Sequence, residues 1–263
     1  MIRAERISSA QNLLLKRIRR AARTTGMTEE GFLVAEGFHL LEEVFRSRRP
    51  LEAVVCTEAA LPRVRQTASR QSGFRLVVVP PAVMEGLAAT ETNQGVIALA
   101  AIPAWRPEDL WGRQPLVLAL DGIQDPGNAG TMLRTAEAFG ASGVALLKGS
   151  VSPFNPKAVR ASAGSVFRVP LRTGLTAQGL LTEAAAHGAM VYAASAEGSL
   201  PADAADLVRP CVLVVGSEGR GVSSEFRGAP SVRIPVTGVE SLNAAVAAAI
   251  LLYEARRQRG GVA

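Results

Sequence analysis

Asn128, Arg134, Glu218, Ser241 and Asn243 are polar or charged residues standing beside strand ends, turns and helix starts, where a chain can do chemistry or simply cap its helices. They fall in three segments: LDGIQDPGNAGTMLRTAEAFGASGV (120–144), VLVVGSEGRGVSSE (212–225) and RIPVTGVESLNAAVAAAILLYEARR (233–257). Amides and hydroxyls orient reacting groups by hydrogen bonds, a guanidinium holds phosphate or stabilises a developing oxyanion, and a carboxylate fixes its neighbours. A metal-ligand pattern and a Ser/His nucleophile pattern are both missing. His39 and His187 lie far apart, neither beside a nucleophile. Cys56 and Cys211 each sit in an apolar run without CxxC or Cys/His spacing, which predicts buried thiols and no metal site.

Each segment joins an apolar strand to a glycine-rich turn and then to a loop or helix start, the place where an α/β sheet exposes its backbone to a ligand. In the first, the strand ends at Asp121, the chain turns through Asp125, Pro126 and Gly127, and Asn128 is the expected helix cap. Arg134 is six residues further on, so the two do not overlie each other on the helix. The helix start favours an anion such as an RNA phosphate; the plainer reading is a capped helix with exposed charges. In the second, VLVVG runs into Gly216, Gly219 and Gly221, in neither a P-loop nor a GxGxxG spacing. Glycine suits a place where backbone closely approaches a ligand. In the third, Ile234 and Pro235 end a strand, Gly238 turns, and Ser241, Leu242 and Asn243 open the last helix, with Ser241 an expected cap. Leu242, Ala245, Val246, Ala249, Ile250 and Tyr253 recur at helical spacing, which predicts one wide buried face.

The 263 residues are enough for two modest domains, and 48% apolar with 20% charged residues describes a globular chain. No apolar run approaches the roughly 20 residues that span a bilayer, and MIRAERISSAQ has no signal-peptide core, so a cytoplasmic protein is expected. A net charge of +6 points to an anionic partner, with nucleic acid foremost. Apart from Lys16, Lys148 and Lys157 the basic residues are arginine; arginine forks suit phosphate, and a GC-rich genome gives the same bias. Residues 1–29 read as a basic helix, capped near Ser8 or Ser9, whose Lys16, Arg17, Arg19, Arg20 and Arg23 form a cationic arm for RNA or a solvated face. Residues 30–101 read as a small α/β unit, with strands FLVAEG, LEAVVCT, RLVVVP and GVIALAA and helices GFHLLEEVFRS, ALPRVRQTASRQ and AVMEGLAAT. The Pro-rich stretch 102–115 reads as a linker. In 116–263 the strand candidates LVLALD, GVALLK, VFRVPL, AMVYAAS, PCVLVVG and SVRIPV alternate with helices, which predicts a mostly parallel sheet with helices on both faces.

Taken in order, NxGxxxRTAEAFG, SPFNPKAVRASAGSVFRVP, GSEGRGVS and IPVxGxxSLN resemble the SpoU (TrmH-type) family of RNA 2′-O-ribose methyltransferases, of the SPOUT superfamily. QNLLLKRIRR and FLVAEG are similar to members with an N-terminal L30e-like RNA-binding domain. The resemblance implies a trefoil-knotted C-terminal domain that binds S-adenosylmethionine through Gly216, Ile234 and Leu242, and catalytic positions at Asn128, Arg134, Glu218, Ser241 and Asn243. It also implies a homodimer through that domain. Ala244 and Ala245 stand where Val followed by Ser or Ala is common in the family, and Ser217 where Asn often appears. The implied substrate is RNA, with 23S ribosomal RNA favoured over transfer RNA. The alternatives are a transfer RNA 2′-O-methyltransferase, a base-nitrogen methyltransferase and a non-catalytic RNA-binding assembly factor.

Overall fold

Apolar runs alternate with amphipathic ones from end to end, and the apolar runs become strands with little or no exposed side chain. The computed structural model describes residues 2–68, 72–90 and 93–260. In chain order the elements are β1 (Ala4–Arg6), α1 (Leu13–Arg23), β2 (Phe32–Glu36), α2 (Phe38–Arg46), β3 (Leu51–Cys56), α3 (Leu61–Thr67), β4 (Arg75–Val78), α4 (Pro81–Glu85) and β5 (Val96–Ala101). There follow β6 (Leu116–Asp121), α5 (Pro126–Ala138), β7 (Gly143–Leu147), α6 (Pro156–Ala161), β8 (Leu171–Leu175), α7 (Ala177–Ala186), β9 (Met190–Ala194), β10 (Leu200–Pro201), β11 (Cys211–Gly216), β12 (Ser231–Arg233) and α8 (Ala244–Gln258). Residues 69–71, the end of the helix expected from ALPRVRQTASRQ, lie outside the described residues.

The chain divides into two units, Met1–Pro103 with Phe154–Arg168, and Ala104–Pro153 with Val169–Ala263. In the first, the sheet runs β1-β4-β3-β5-β2, with β4 parallel to β1 and β3 and with β5 antiparallel to β3 and β2. Helix α1 buries Leu14, Leu15, Ile18, Ala21 and Ala22 in this unit's core, so the basic helix is an integral element. Its cap is Asn12, whose side chain accepts from Leu14 N at 2.9 Å, in place of the expected Ser8 or Ser9. Residues 154–168 group here, although the sequence places them inside the C-terminal domain. Two close fits hold them. A Cβ at Gly26, where φ is +79°, would stand 1.8 Å from the Phe154 carbonyl oxygen. Glu43 on α2, 2% exposed, accepts from Arg168 Nη1 and pairs with Arg46 at 2.8 Å, and a Cβ at Gly164 would lie 2.6 Å from its Cβ. VFRVPL is not a strand: residues 165–167 form a short 3-10 turn, and β8 begins only after Pro170.

The second unit has a wholly parallel sheet in the order β10-β12-β9-β11-β6-β7-β8. Alternate residues of each strand face opposite cores. Leu116, Leu118 and Leu120 meet α5 and α8, while Val117 and Ala119 meet α7 with Leu110 and Trp111. The latter two come from the expected linker, and Trp111 also stacks on His187 at 4.6 Å. SVRIPV pairs only over 231–233, and β10 has no counterpart among the predicted strands. Helix α8 turns a different face inward from the one its periodicity predicts. Ala244, Ala245, Ala248, Leu251, Leu252 and Ala255 are buried, while Val246, Ile250 and Tyr253 are 47%, 36% and 56% exposed. The small residues let α8 close on α5, a tighter fit than its larger side chains allow.

Candidate active site

Asp121 ends β6 and Gly216 ends β11, and they are direct register partners. From β6 the chain steps to β7 on one side; from β11 it continues to β12 on the other. The gap between β6 and β11 is thus a topological switch point, where open parallel sheets bind ligands. After β11 the chain doubles back: Gly221 N donates to Ser217 O at 2.8 Å, and Ser223 N donates to Asp121 Oδ2 at 2.6 Å. Gly216 is required for this. A Cβ there would lie 2.1 Å from the carbonyl carbon and oxygen of Gly221 and 2.3 Å from Val222 N. Its role in this structure is to let main chain pass main chain; its neighbours Val215 and Ser217, not Gly216 itself, line the adjoining cavity.

That cavity has a volume of about 370 Å³ and is walled by the ends of β9, β11 and β12 and the start of α8. Ile234 and Leu242 line it, as do Ser241 and Glu218. At its rim, Glu218 Oε1 accepts from Asn243 Nδ2 at 2.7 Å and Asn128 Nδ2 at 3.0 Å, and lies 3.4 Å from Ala244 N. Asn243 Nδ2 also donates to Asn128 Oδ1 at 3.2 Å. Two helix starts therefore meet on one carboxylate, an arrangement the helix dipoles favour. The caps differ from expectation. Asp125 caps α5 by accepting from Asn128 N at 2.7 Å, which frees the Asn128 side chain for Glu218. Asn243 caps α8, accepting from Ala245 N at 2.9 Å, and Ser241 stands exposed before it.

Arg134 is not brought to this cluster. It is exposed on α5 and makes no side-chain hydrogen bond or ion pair among the described residues. Six helical residues turn the chain through about 600°, which sends Arg134 well away from Asn128. Within the basic helix, Arg17 is tied to Glu30 at 2.5 Å and Glu52 at 2.8 Å, and Arg20 to Glu29 at 2.5 Å. The Glu52 hydrogen bond holds the Arg17 guanidinium above its ordinary pKa. Arg19 donates to the carbonyls of Gly86 and Ala10, while Lys16 and Arg23 are exposed. A cavity of about 880 Å³ opens in the same unit, where the Arg63 guanidinium lies 3.9 Å over the Phe38 ring. Asp121, the hinge of the doubled-back loop, is absent from the predicted site. Its signal is a carboxylate at the carboxyl end of an otherwise apolar parallel strand.

Three loops at the carboxyl edge of a parallel sheet, enclosing a cavity with an amide and carboxylate rim, define a ligand-binding α/β domain. The chain belongs to the SpoU rRNA Methylase family, whose model matches residues 115–253; the model of the MRM3-like substrate binding domain matches residues 5–98. It is 32% identical to the 23S rRNA (guanosine(2553)-2′-O)-methyltransferase RlmP of Bacillus subtilis over 257 residues, covering 96% of this chain and 99% of that one. The AdoMet-bound rRNA methyltransferase from Sinorhizobium meliloti superposes with a TM-score of 0.84 at 30% identity, over 97% of this chain and 98% of that one. The SpoU methyltransferase AviRb from Streptomyces viridochromogenes, in complex with AdoMet, gives a TM-score of 0.85 at 25% identity, over 96% of this chain and the whole of that one.

Proposed function

We propose that this protein transfers a methyl group from S-adenosylmethionine to a ribose 2′-hydroxyl of RNA, with 23S ribosomal RNA as substrate. The observation that carries this is the convergence of Glu218, Asn128 and Asn243 at the rim of a cavity lined by Ile234, Leu242 and Ser241. Apolar walls beside main chain at Val215 and Ser217 fit a cofactor with a flat purine and a polar tail, and about 370 Å³ is within the range of small-molecule sites. The cofactor supplies a methyl group already activated on a sulfonium. The chain's own residues then have to align the ribose and stabilise its oxygen as the hydroxyl proton passes to solvent at the exposed rim. Glu218 fixes the two asparagine amides, which with the Ser241 hydroxyl orient the sugar. Arg134 grips an RNA phosphate and stabilises the developing alkoxide; a guanidinium that stays charged in proteins is poorly suited to accept the proton itself.

The exposed stripe of Val246, Ile250 and Tyr253 supports a homodimer through the second unit. Tyr253 stacks edge-on against Phe139 at the end of α5, at 5.7 Å. A second copy covering this stripe approaches α5 as well, which gives Arg134 a route to a site it does not reach in its own chain. The family match over residues 115–253 supports the trefoil knot, and the match at residues 5–98 supports an RNA-binding role for the L30e-like first unit. No helix among the described residues is long and apolar enough to cross a membrane. The test is to map 2′-O-methylation across total RNA from cells with and without the gene. Loss of one 23S ribosomal RNA site is expected. Loss of a transfer RNA site refutes the substrate, and an unchanged map refutes the activity.

A further inference from the structure

Ser217, Arg220, Gly221 and Val222 are the shared wall of two cavities. One is the proposed cofactor cavity. The other, about 580 Å³, opens on the β6 and β7 side and is lined by Lys148, Arg220, Arg227, Gln124 and Ser223, with Asp121 at its base. Three of these side chains are cationic, and none of the three makes a side-chain hydrogen bond or ion pair among the described residues. The one carboxylate, Asp121, is engaged by Ser223 N at 2.6 Å. Ser223 Oγ is buried and has no hydrogen-bond partner. Its burial shuts it off from the cavity, so the three cations alone face any ligand there.

We propose that this cavity is a phosphodiester-binding site, gripping the backbone of the substrate RNA beside the ribose presented to the cofactor cavity. Lys148, Arg220 and Arg227 pair with the phosphate oxygens and neutralise their charge. The lining carries no aromatic ring, so nothing there stacks a base, and recognition falls on the backbone. The location agrees, because the cavity sits at the carboxyl ends of β6 and β7 next to β11, on the switch-point crevice. Arg220 faces both cavities, so one loop senses cofactor and RNA together. The inference rests on the methyltransferase reading for its ligand, and on its own geometry for its place.

The test measures binding of a short fluorescein-labelled single-stranded RNA of mixed sequence to the full-length protein across a salt series. Lys148→Gln and Arg227→Gln are expected each to lower the slope of log affinity against log salt by about 0.7, and together by about 1.4. Ser223→Ala is expected to leave both affinity and slope unchanged, since its hydroxyl is shut off from the cavity. Arg113→Gln, which removes an exposed cation outside the cavity, is expected to leave both unchanged. Calorimetry with S-adenosylmethionine is expected to give wild-type affinity for Lys148→Gln and Arg227→Gln, since neither lines the cofactor cavity. Unchanged RNA slopes in the double variant overturn the proposal. So does stabilisation of the wild type, but not the double variant, by inorganic phosphate when the RNA slopes stay the same, because the site then takes a free anion. Failure of the wild type to bind S-adenosylmethionine strikes the methyltransferase reading instead, and leaves the salt slopes to judge this site alone.

Discussion

Gly216 and Gly219 stand three residues apart in one loop, and replacing each by alanine should give opposite results. A Cβ at Gly216 meets the Gly221 carbonyl at 2.1 Å, and ordinary contact begins at 3.4 Å, so the returning strand of the loop must retreat by 1.3 Å. All the atoms in the way are backbone, and no rotamer change relieves the clash. A retreat of that size breaks the bond from Gly221 N to Ser217 O and the bond from Ser223 N to Asp121, which are 2.8 and 2.6 Å long. The first is worth about 1 kcal/mol and the second, to a carboxylate, about 2, for a loss near 3 kcal/mol. In a unit of this size that lowers the melting temperature by about 6–12 °C. The same movement displaces Ser217 and Glu218 from the proposed cofactor cavity. Affinity for S-adenosylmethionine, measured by titration calorimetry at a temperature where the variant remains folded, should fall at least tenfold, or about 1.4 kcal/mol. A Cβ at Gly219 meets nothing within 4 Å, so Gly219→Ala should melt within about 0.5 kcal/mol of the wild type and bind the cofactor normally. Wild-type melting and affinity in Gly216→Ala would refute the reasoning, because the doubled-back main chain would then not be what shapes the cavity.

Glu218→Gln keeps the side chain's size but removes the charge that gathers two asparagine amides and the start of α8; turnover in a methylation assay should fall at least tenfold while stability changes by under about 1 kcal/mol. Glu43→Ala should destabilise the first unit by about 2–3 kcal/mol in urea unfolding, since it removes the buried carboxylate that Arg168 and Arg46 share and leaves a hole under Gly164. Burial pushes the Cys56 thiol from its ordinary 9.0 up to about 12. The folded state then holds this proton where the unfolded state has lost it, so the stability involved is intact below pH 9 and is lost progressively between about pH 9 and pH 12. Iodoacetamide at pH 8 should leave Cys56 unmodified in the native protein and alkylate it in urea, as read by mass spectrometry.

The strand ends at Asp121 and Gly216 were legible because apolar runs that stop at glycine or a carboxylate mark the edge of a parallel sheet. What the sequence hid was set by distance. Arg17 looks free until Glu52, 35 residues away, is folded beside it. The periodicity of α8 shows that the helix has apolar residues all round, and only packing against α5 decides that the alanine-rich face goes inward and Val246, Ile250 and Tyr253 stay out. VFRVPL has the residues of a strand, but the chain enters it from Gly164 at φ +90° and closes a 3-10 turn over 165–167, so β8 starts only at Leu171. Asn128 is a good capping residue and so is Asp125; the turn geometry chooses the latter, and that choice releases the Asn128 amide to donate to Glu218.

The grouping of Phe154–Arg168 with the first unit has a consequence for synthesis. Glu43 is made early, yet its partner Arg168 and the helix laid on β2 emerge only after β6, α5 and β7 have been translated. The amino-terminal unit therefore cannot finish folding on the ribosome ahead of the rest, and a fragment cut at Pro103 leaves its surface open where those residues belong. A graft of this unit onto another enzyme has to carry both stretches of chain.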